Sequence, residues 1–249
     1  MIELINITKR FPINDGLSIN NRQIRGGFFY ALDDISLSIK SGSRAIIAGG
    51  NGCGKSLLMS IIAGLEEPTS GTVKTSEKPG LIFQEADSQI LGETPAEDIA
   101  FGPRNMKLKK EEIQNRVEYA LAETGLNEKA YFPARSLSGG EKRRLAAAGI
   151  IAMNRQIIIF DEPYANLDFP GISQVNRLIK KLISQGITLI ILTHELEKCM
   201  ALCDHFIVLS GGKKVFDGNP ESALLQDLES WGIHHPLGNA KNKLDDLIW

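Results

Sequence analysis

The sequence has 249 residues, of which 43% are hydrophobic and 23% charged, and its formal net charge is -2. This composition suits a compact domain with a sizeable core, and the near-neutral charge argues against a nucleic-acid partner. Three cysteines are too few for a disulfide framework and fit a reducing compartment.

The first residues lack the basic and then apolar layout of a signal peptide, so we expect none. The most apolar stretch, residues 187–192, is far shorter than the roughly 20 residues of a membrane span. Any membrane role therefore requires other subunits to span the bilayer.

The predicted elements alternate short buried strands with helices. Strands are predicted over residues 1–10, 31–39, 44–48, 81–83, 156–160 and 187–192, with a loop or hairpin tip over residues 12–29. Helices are predicted over residues 55–63, 109–123, 140–153, 172–184, 195–203 and 221–231, and residues 206–216 predict a hairpin. The alternation favours an α/β core with a largely parallel sheet, beside an antiparallel β layer at the start. Between residues 85 and 150 the signal is helical.

A glycine-rich segment follows the predicted strand 44–48 and opens a predicted helix. It matches the pattern G-x-x-x-x-G-K-[ST] with Gly49, Gly50, Asn51, Gly52, Cys53, Gly54, Lys55 and Ser56. Glycines let several backbone N–H groups point at one phosphate, and the helix N-terminus adds its positive dipole end. We expect Lys55 to bridge the β- and γ-phosphates of a nucleotide and the Ser56 hydroxyl to bind Mg²⁺. The alternative, a chance glycine-rich turn, is disfavoured by this strand-to-helix context.

Two adjacent carboxylates end the predicted strand 156–160. Asp161 and Glu162 lie where open α/β sheets place their ligands, at the carboxyl end of a strand. We expect Asp161 to hold Mg²⁺, directly or through water, and Glu162 to orient or deprotonate an attacking water. An ordinary acidic pair at a strand end is the alternative, and the phosphate loop upstream favours the functional interpretation.

Between these two motifs stands the run Leu137, Ser138, Gly139, Gly140, Glu141. Ser138 and the two glycines open a predicted helix and supply a second anion-binding helix N-terminus. One nucleotide needs one phosphate loop, so a second such end indicates the nucleotide of another chain. The run resembles the signature of ATP-binding cassette (ABC) proteins, and it occupies the same place between the two motifs as in that family.

The resemblance covers about residues 1–220 and implies a fold class. We expect a P-loop NTPase (RecA-like) α/β core with an N-terminal antiparallel β subdomain and an α-helical subdomain, about residues 85–150, that carries the signature. Residues 221–249 would form a C-terminal helical tail. The resemblance also implies ATP and Mg²⁺ as cofactors, and a head-to-tail dimer in which Ser138, Gly139 and Gly140 of one chain close over the ATP of the other.

Further residues resemble the family's functional positions. Gln84 resembles the glutamine that links Mg²⁺ and the attacking water to the transport subunit, and His194 resembles the switch histidine at the γ-phosphate. With Lys55 and Glu162 they complete the expected catalytic set. Asp168, in the run 166–168, resembles the segment that family members call the D-loop.

Two further points concern the aromatic residue that contacts adenine and two departures from the family pattern in the phosphate loop. Phe11 resembles the aromatic that stacks on adenine, with Phe28, Phe29 and Tyr30 as competitors. Cys53 and Leu57 replace a frequent serine and threonine without removing an obligatory ligand, since backbone N–H groups and Ser56 carry that role. A pKa lowered by the helix end would make the Cys53 thiol modifiable.

Residues 83–89 and 97–105 resemble the ATPases of energy-coupling factor (ECF) transporters, which take up vitamins or, in a related group, cobalt and nickel ions. Glu85 and Ala86 replace the usual Asn-Pro there. The resemblance implies a homodimer, or a heterodimer with a paralogous ATPase. It also implies a transmembrane coupling subunit and a separate substrate-binding membrane subunit, so the chain would lie at the cytoplasmic face of the cell membrane.

Residues 85–105 either form a docking groove for a helix of the membrane subunit or are a connector with Ile99 and Phe101 buried. Two other classes of function are weighed. A cassette that acts on nucleic acid or ribosomes would show tandem cassettes, a long coiled-coil insertion or a basic face, none of which the sequence has. A nucleotide-gated interaction protein with little hydrolysis is disfavoured by Glu162 and His194.

Overall fold

The computed structural model describes residues 1–13 and 24–237. The strands are β1 (Ile2–Pro12), β2 (Ile24–Arg25), β3 (Phe28–Ile39), β4 (Arg44–Ala48), β5 (Ser70–Thr75), β6 (Gly80–Ile82), β7 (Ile157–Asp161), β8 (Thr188–Leu192), β9 (His205–Ser210) and β10 (Lys213–Gly218). The α-helices are α1 (Lys55–Ile62), α2 (Pro95–Asn105), α3 (Lys110–Thr124), α4 (Gly139–Ala152), α5 (Phe169–Ser184) and α6 (Pro220–Ala223). No helix in these two ranges is long and apolar enough to cross a membrane.

A six-stranded sheet carries the centre of the fold, in the order β10-β9-β4-β8-β7-β6. Strands β9, β4, β8, β7 and β6 run parallel, and β10 returns antiparallel along β9. The central strands β4, β7 and β8 are apolar runs because helices and a second sheet cover both faces. The predicted α/β core is confirmed.

The second sheet, in the order β2-β3-β1-β5, is antiparallel and confirms the predicted β layer. Of the two alternatives for residues 12–29, a loop or a hairpin tip, the described part is a hairpin, because 24–25 and 28–29 are strand residues around a turn at Gly26 and Gly27. Residues 14–23 lie outside the described residues. Strand β5 was not predicted, because its residues are exposed or half-buried and show no apolar alternation.

Helix α1 lies between the two sheets and shares a hydrophobic core with both, through Leu58, Ile61 and Ile62. Helix α5 packs on the opposite face of the six-stranded sheet with Ile172, Val175 and Ile179. This sandwich fixes the carboxyl ends of β4, β7 and β8 at one edge, where the loops to the helices begin.

Helices α2, α3 and α4 enclose a hydrophobic cluster of their own. The predicted amphipathic face of α3 contributes Val117 and Leu121 to it, with Ile113 half-buried at its rim. Helix α4 also contributes Ala146 and Ile150 to the main core, so one helix links the helical region to the sheet.

Two predicted helices are broken. Residues 195–203 form two 3₁₀ turns, Leu196–Lys198 and Met200–Leu202, because the backbone bonds reach only three residues back. The helix predicted over 221–231 is α6 followed by a 3₁₀ turn at Leu228–Trp231. Asp227 caps that new turn, and Gly232 ends it at φ +73°.

Candidate active site

The phosphate loop connects β4 to α1 and curls around its own lysine. The Lys55 Nζ atom donates to the carbonyl oxygens of Gly49 at 2.6 Å and Gly50 at 3.3 Å. Glycine is required at position 49, because a Cβ there would lie 2.3 Å from the Leu209 carbonyl oxygen and 2.5 Å from Cys53 Sγ. Lys55 is buried, so its charge is held inside the loop where phosphate oxygens would lie.

One open cavity gathers most of the predicted nucleotide residues. Its lining comprises Phe29, Ala31, Asn51, Gly52, Cys53, Gly54, Lys55, Ser56, Leu57, Gln84, Glu162 and His194. The loop after β4, the segment after β6, the end of β7 and the loop after β8 thus meet at one edge of the sheet, as parallel strands place them.

Glu162 has a positive φ, and only one of its two carboxylate oxygens has a hydrogen-bond partner among the described residues. Its φ is +45°, a conformation that non-glycine residues seldom adopt, and its N–H donates to the Leu192 carbonyl oxygen at 2.8 Å. The Glu162 Oε1 atom lies 3.0 Å from His194 Nδ1, whereas Oε2 is buried with no hydrogen-bond partner among the described residues. The carboxylate therefore keeps one oxygen directed at no protein donor, which is what activation of a water molecule requires.

Asp161 lies beside Glu162 at the end of β7, and both are buried. Burial, and then the Glu162 charge, raise the pKa of the Asp161 carboxyl, while Lys55 and a hydrogen bond with Ser56 lower it. The arrangement concentrates negative charge next to the phosphate loop, so a cation bound there would relieve the repulsion.

A buried arginine that the sequence analysis did not single out connects three backbone segments of this site by hydrogen bonds. Arg143, on α4, donates to the carbonyl oxygens of Gln84 at 2.9 Å, Pro163 at 3.0 Å and Ala165 at 2.9 Å. Burial lowers the pKa of its guanidinium, and the charge of Glu195 opposes that shift. The signature helix is thus bonded to the segments that carry Gln84 and follow Glu162. No sequence signal separated it from its neighbours, because residues 141–144 are four consecutive charged residues at the start of α4.

The signature residues lie away from this cavity. Ser138 caps α4, where its Oγ accepts from the Glu141 N–H at 3.3 Å and Glu141 Oε2 accepts from the Ser138 N–H at 2.9 Å. Ser138 and Gly139 are exposed, and a Cβ at Gly139 would meet open space. Asp168 is also exposed and caps α5 by accepting from the Gly171 N–H at 3.0 Å. None of these residues, nor Gly140, lines the cavity.

The aromatic that lines the cavity is Phe29, not Phe11. Phe11 and Phe29 are direct partners across β1 and β3, so their side chains share a face of the sheet. Phe11 is 42% exposed, with the Lys9 ammonium 5.5 Å from its ring centre. Arg10 lies over the ring of Phe28, outside the cavity lining.

The condition set for modification of Cys53, a lowered thiol pKa, is not met. Its side chain is buried, and burial raises the pKa of the thiol, which outweighs the lowering by Lys55 and the backbone. The sulfur packs under Gly49 instead of facing solvent, so the position serves packing of the loop.

Comparison with known proteins decides the family. The family model described as ABC transporter matches residues 32–165, more than half of the chain. The chain belongs to the ABC transporter ATP-binding family. The energy-coupling factor transporter ATP-binding protein EcfA1 of Caldanaerobacter subterraneus is 42% identical over 222 residues, which cover 82% of this chain and 80% of that protein. The energy-coupling factor transporter ATP-binding protein EcfA2 of Clostridium perfringens is 35% identical over 213 residues, which cover 79% of this chain and 75% of that protein.

Solved structures agree with this assignment. The ABC ATPase has a TM-score of 0.76 and 32% identity to cbiO1 of Clostridium perfringens, which is described as part of the ABC transporter complex cbiONQ, with 90% of each chain covered. It has a TM-score of 0.75 and 27% identity to the dimeric cassette MJ0796 bound to ADP and phosphate, covering 88% of this chain and 99% of that one. The P-loop fold and the ATPase class of this chain are therefore confirmed. ATPases of this family dimerise and work with membrane subunits.

Proposed function

We propose that this ABC ATPase is the ATP-hydrolysing subunit of an energy-coupling factor importer for a vitamin or a transition-metal ion. Binding of ATP closes a head-to-tail dimer of two such chains, or of this chain and a paralogue, and hydrolysis reopens it. Separate membrane subunits, one for coupling and one for substrate capture, carry the substrate across, with the ATPase at the cytoplasmic face. The resemblance of residues 83–105 and the ECF relatives support the ECF type.

The proposed dimer rests on one observation about the cavity and the signature helix. The cavity holds the phosphate loop, Glu162 and His194 but leaves one side open, and the signature helix presents its exposed N-terminus elsewhere on the chain. A helix N-terminus attracts anions, and the cap at Ser138 shapes it without covering it. A second chain in head-to-tail orientation supplies Ser138, Gly139 and Gly140 to this open side, with Asp168 near the contact.

The protein groups fit a Mg²⁺-ATP complex. The described residues contain no cluster of three or more His, Cys, Asp or Glu side chains that could hold a metal by themselves. A nucleotide-linked Mg²⁺ needs few protein oxygens, because phosphate and water complete its shell. Ser56 and Asp161 would supply those oxygens, with the Gln84 side chain near, and the bound ion would neutralise phosphate charge.

The remaining roles follow from position. Lys55 holds the β- and γ-phosphates, and the N–H groups of residues 49–57 surround them. Glu162 takes the proton of the attacking water through its unpartnered oxygen, while His194 orients that carboxylate and reaches the γ-phosphate. Adenine packs on Phe29, with Phe11 beside it on the same face of the sheet.

A surface groove beside α2 and α4 fits the membrane subunit. Leu91, Phe101 and Met106 line it and are 67%, 48% and 39% exposed. Ile99, by contrast, is fully buried. The stretch 85–105 therefore combines a buried anchor with an apolar exposed rim, which suits an amphipathic helix of a coupling subunit.

Complementation of two inactive variants tests the shared site. Lys55→Ala lacks the phosphate lysine, and Ser138→Arg blocks the signature by size and charge; each alone should lose hydrolysis. In a mixed dimer, the Ser138→Arg chain's phosphate loop meets the intact signature of the Lys55→Ala chain, so one of two sites is whole. Mixing the two variants in equal amounts should restore roughly a quarter of the parent ATPase rate.

The control is each variant incubated alone at the same total concentration. Full hydrolysis by Ser138→Arg alone would refute the shared site, and so would a mixture no more active than its parts although mixed dimers form. Co-purification of the parent chain from native membranes, with identification of its partners, tests the ECF assignment separately.

A further inference from the structure

The chain after β10 returns to the main core. Helix α6 and the turn at Leu228–Trp231 place Ala223, Leu228 and Ile233 in the core that contains β9, where each is at most 1% exposed. The Ile233 N–H donates to the Leu228 carbonyl oxygen at 3.1 Å and closes the turn. We call residues 228–233 the tail turn.

The tail turn lies against the phosphate loop. A Cβ at Gly50 would lie 3.6 Å from the carbonyl oxygens of both Trp231 and Gly232, and a Cβ at Gly232 would lie 3.5 Å from Gly50 Cα. A Cβ at either glycine would thus be in van der Waals contact with the other backbone, so a larger side chain there meets that backbone. Trp231 and Gly232 do not line the cavity, so the contact supports the loop from behind.

The rest of the support comes from the hairpin of β9 and β10. The Leu209 carbonyl oxygen abuts Gly49, and the Gly212 N–H donates to the Cys53 carbonyl oxygen at 3.3 Å. The Trp231 ring packs 6.0 Å from that of Phe216 on β10, which fixes the tail turn to this hairpin. Two backbone segments, the hairpin and the tail turn, therefore enclose the rear of the loop.

Support at Gly50 reaches the ligand side of the loop. The Gly50 carbonyl oxygen is one of the two acceptors of Lys55 Nζ, so a shift of Gly50 moves the lysine that meets the phosphates. A glycine-rich loop loses much conformational entropy when it is fixed in one shape. If contacts in the folded protein already fix the loop, ATP binding does not have to supply that entropy cost, and the affinity is higher.

We propose that the tail turn holds the phosphate loop in its phosphate-receiving curve and thereby sets the affinity for ATP. Trp231 and Gly232 are positioning residues that act through Gly50 and touch no substrate. The inference rests on the proposed ATP site at Gly49–Ser56 and extends it to a segment that lies far from the nucleotide motifs in sequence.

The test compares two glycines in the full chain. Gly232 and Gly125 both end a helical segment in the left-handed region, at φ +73° and +66°, but a Cβ at Gly125 meets open space. Valine strains both backbones similarly, whereas only Gly232→Val presses on Gly50. We expect Gly232→Val to raise the Kd for ATP by about tenfold or more and Gly125→Val by less than about twofold. Equal Kd values for the two variants would overturn the proposal.

A second pair covers the case in which Gly232→Val does not fold. Trp231→Ala removes the ring that anchors the turn on Phe216, and Trp231→Phe restores an aromatic ring. We expect Trp231→Ala to raise KM for ATP by several-fold with kcat little changed, because Glu162 and His194 are untouched, and Trp231→Phe to recover KM. A loss of kcat with KM unchanged would mean that the turn only stabilises the fold, and the proposal would fail.

Titration of Lys55→Ala in parallel separates the two assignments. If Lys55→Ala binds ATP like the parent chain, both the proposed ATP site and the proposed role of the tail turn are refuted. If Lys55→Ala loses ATP binding while Gly232→Val matches Gly125→Val, only the role of the tail turn is refuted.

Discussion

At the residue scale, the geometry of Glu162 predicts that binding of ATP can be separated from its hydrolysis. One of its oxygens meets His194 and the other has no partner among the described residues. The positive φ of Glu162 costs backbone energy, and its side chain lines the cavity. Arg143 acts one layer further out, by fixing the backbone of Gln84 on one side and of Pro163 and Ala165 on the other.

Glu162→Gln tests this separation. The amide preserves the shape and an acceptor for His194 but cannot take a proton, so hydrolysis should fall by about 10²–10⁴-fold. Binding of ATP should persist, and an ATP-bound dimer should accumulate. Phosphate release and size-exclusion chromatography with ATP measure both effects, with Glu128→Gln, an exposed carboxylate remote from the cavity, as the control. Hydrolysis at the parent rate would remove Glu162 from the mechanism.

At the scale of one element, α4 serves stability and function through the same first turn. Ser138 and Glu141 form a reciprocal capping box, and Lys129 pairs with Glu141 at 2.5 Å. The Lys129 hydrogen bond, and then the Ser138 N–H, lower the pKa of the Glu141 carboxyl. A carboxyl whose pKa is lower in the folded state contributes stability above its unfolded pKa, and that contribution is lost as pH falls through the folded value.

Glu141→Ala should therefore lower the free energy of unfolding by about 1 kcal/mol at neutral pH. The difference from the parent chain should shrink as pH falls below the ordinary range of a glutamate pKa, because the protonated side chain no longer pairs with Lys129. Glu141→Gln, which keeps the capping box without the charge, should lie between the two. Urea unfolding over a series of pH values measures this, and a difference that stays constant into the acid range would contradict the assignment.

At the scale of the whole molecule, α4 spans from the signature N-terminus to the apolar groove. Its first turn would meet the nucleotide of a second chain, its Arg143 holds the segments around the cavity, and Ala146, Gly149 and Ile150 form the floor of the groove. In the proposed assembly, this continuity would be a physical route by which closure of the dimer reaches a docked membrane subunit.

Leu91→Glu places a charge on the exposed rim of that groove. We expect it to abolish co-purification with the membrane subunit while ATP binding remains, since the phosphate loop is untouched. Leu65→Glu is the matched control, because Leu65 is also an exposed leucine, at 55%, outside the groove. Assembly that persists in Leu91→Glu would move the docking surface elsewhere, and loss of both folding and ATP binding would mean that this stretch is a core connector.

The sequence by itself determined the phosphate loop, the carboxylate pair and the capped signature helix. Each is a short run in which backbone conformation depends on the residues of the run: glycines permit the curve around Lys55, an apolar strand ends at Asp161, and Ser138 starts a helix. The order of these runs along the chain also determined the α/β fold and the family, because the alternation of strands and helices favours one parallel sheet.

Tertiary structure decided what depends on segments far apart in sequence. Phe29 lines the cavity because β3 packs against the phosphate loop at Gly54. The burial of Cys53 raises a pKa that the helix end alone would lower. The three bonds of Arg143 and the approach of Gly232 to Gly50 arise only once β6, β7, β9 and the tail turn are packed together. No local pattern encodes such contacts, because burial and the distance between two backbones are properties of the packed elements and not of either segment.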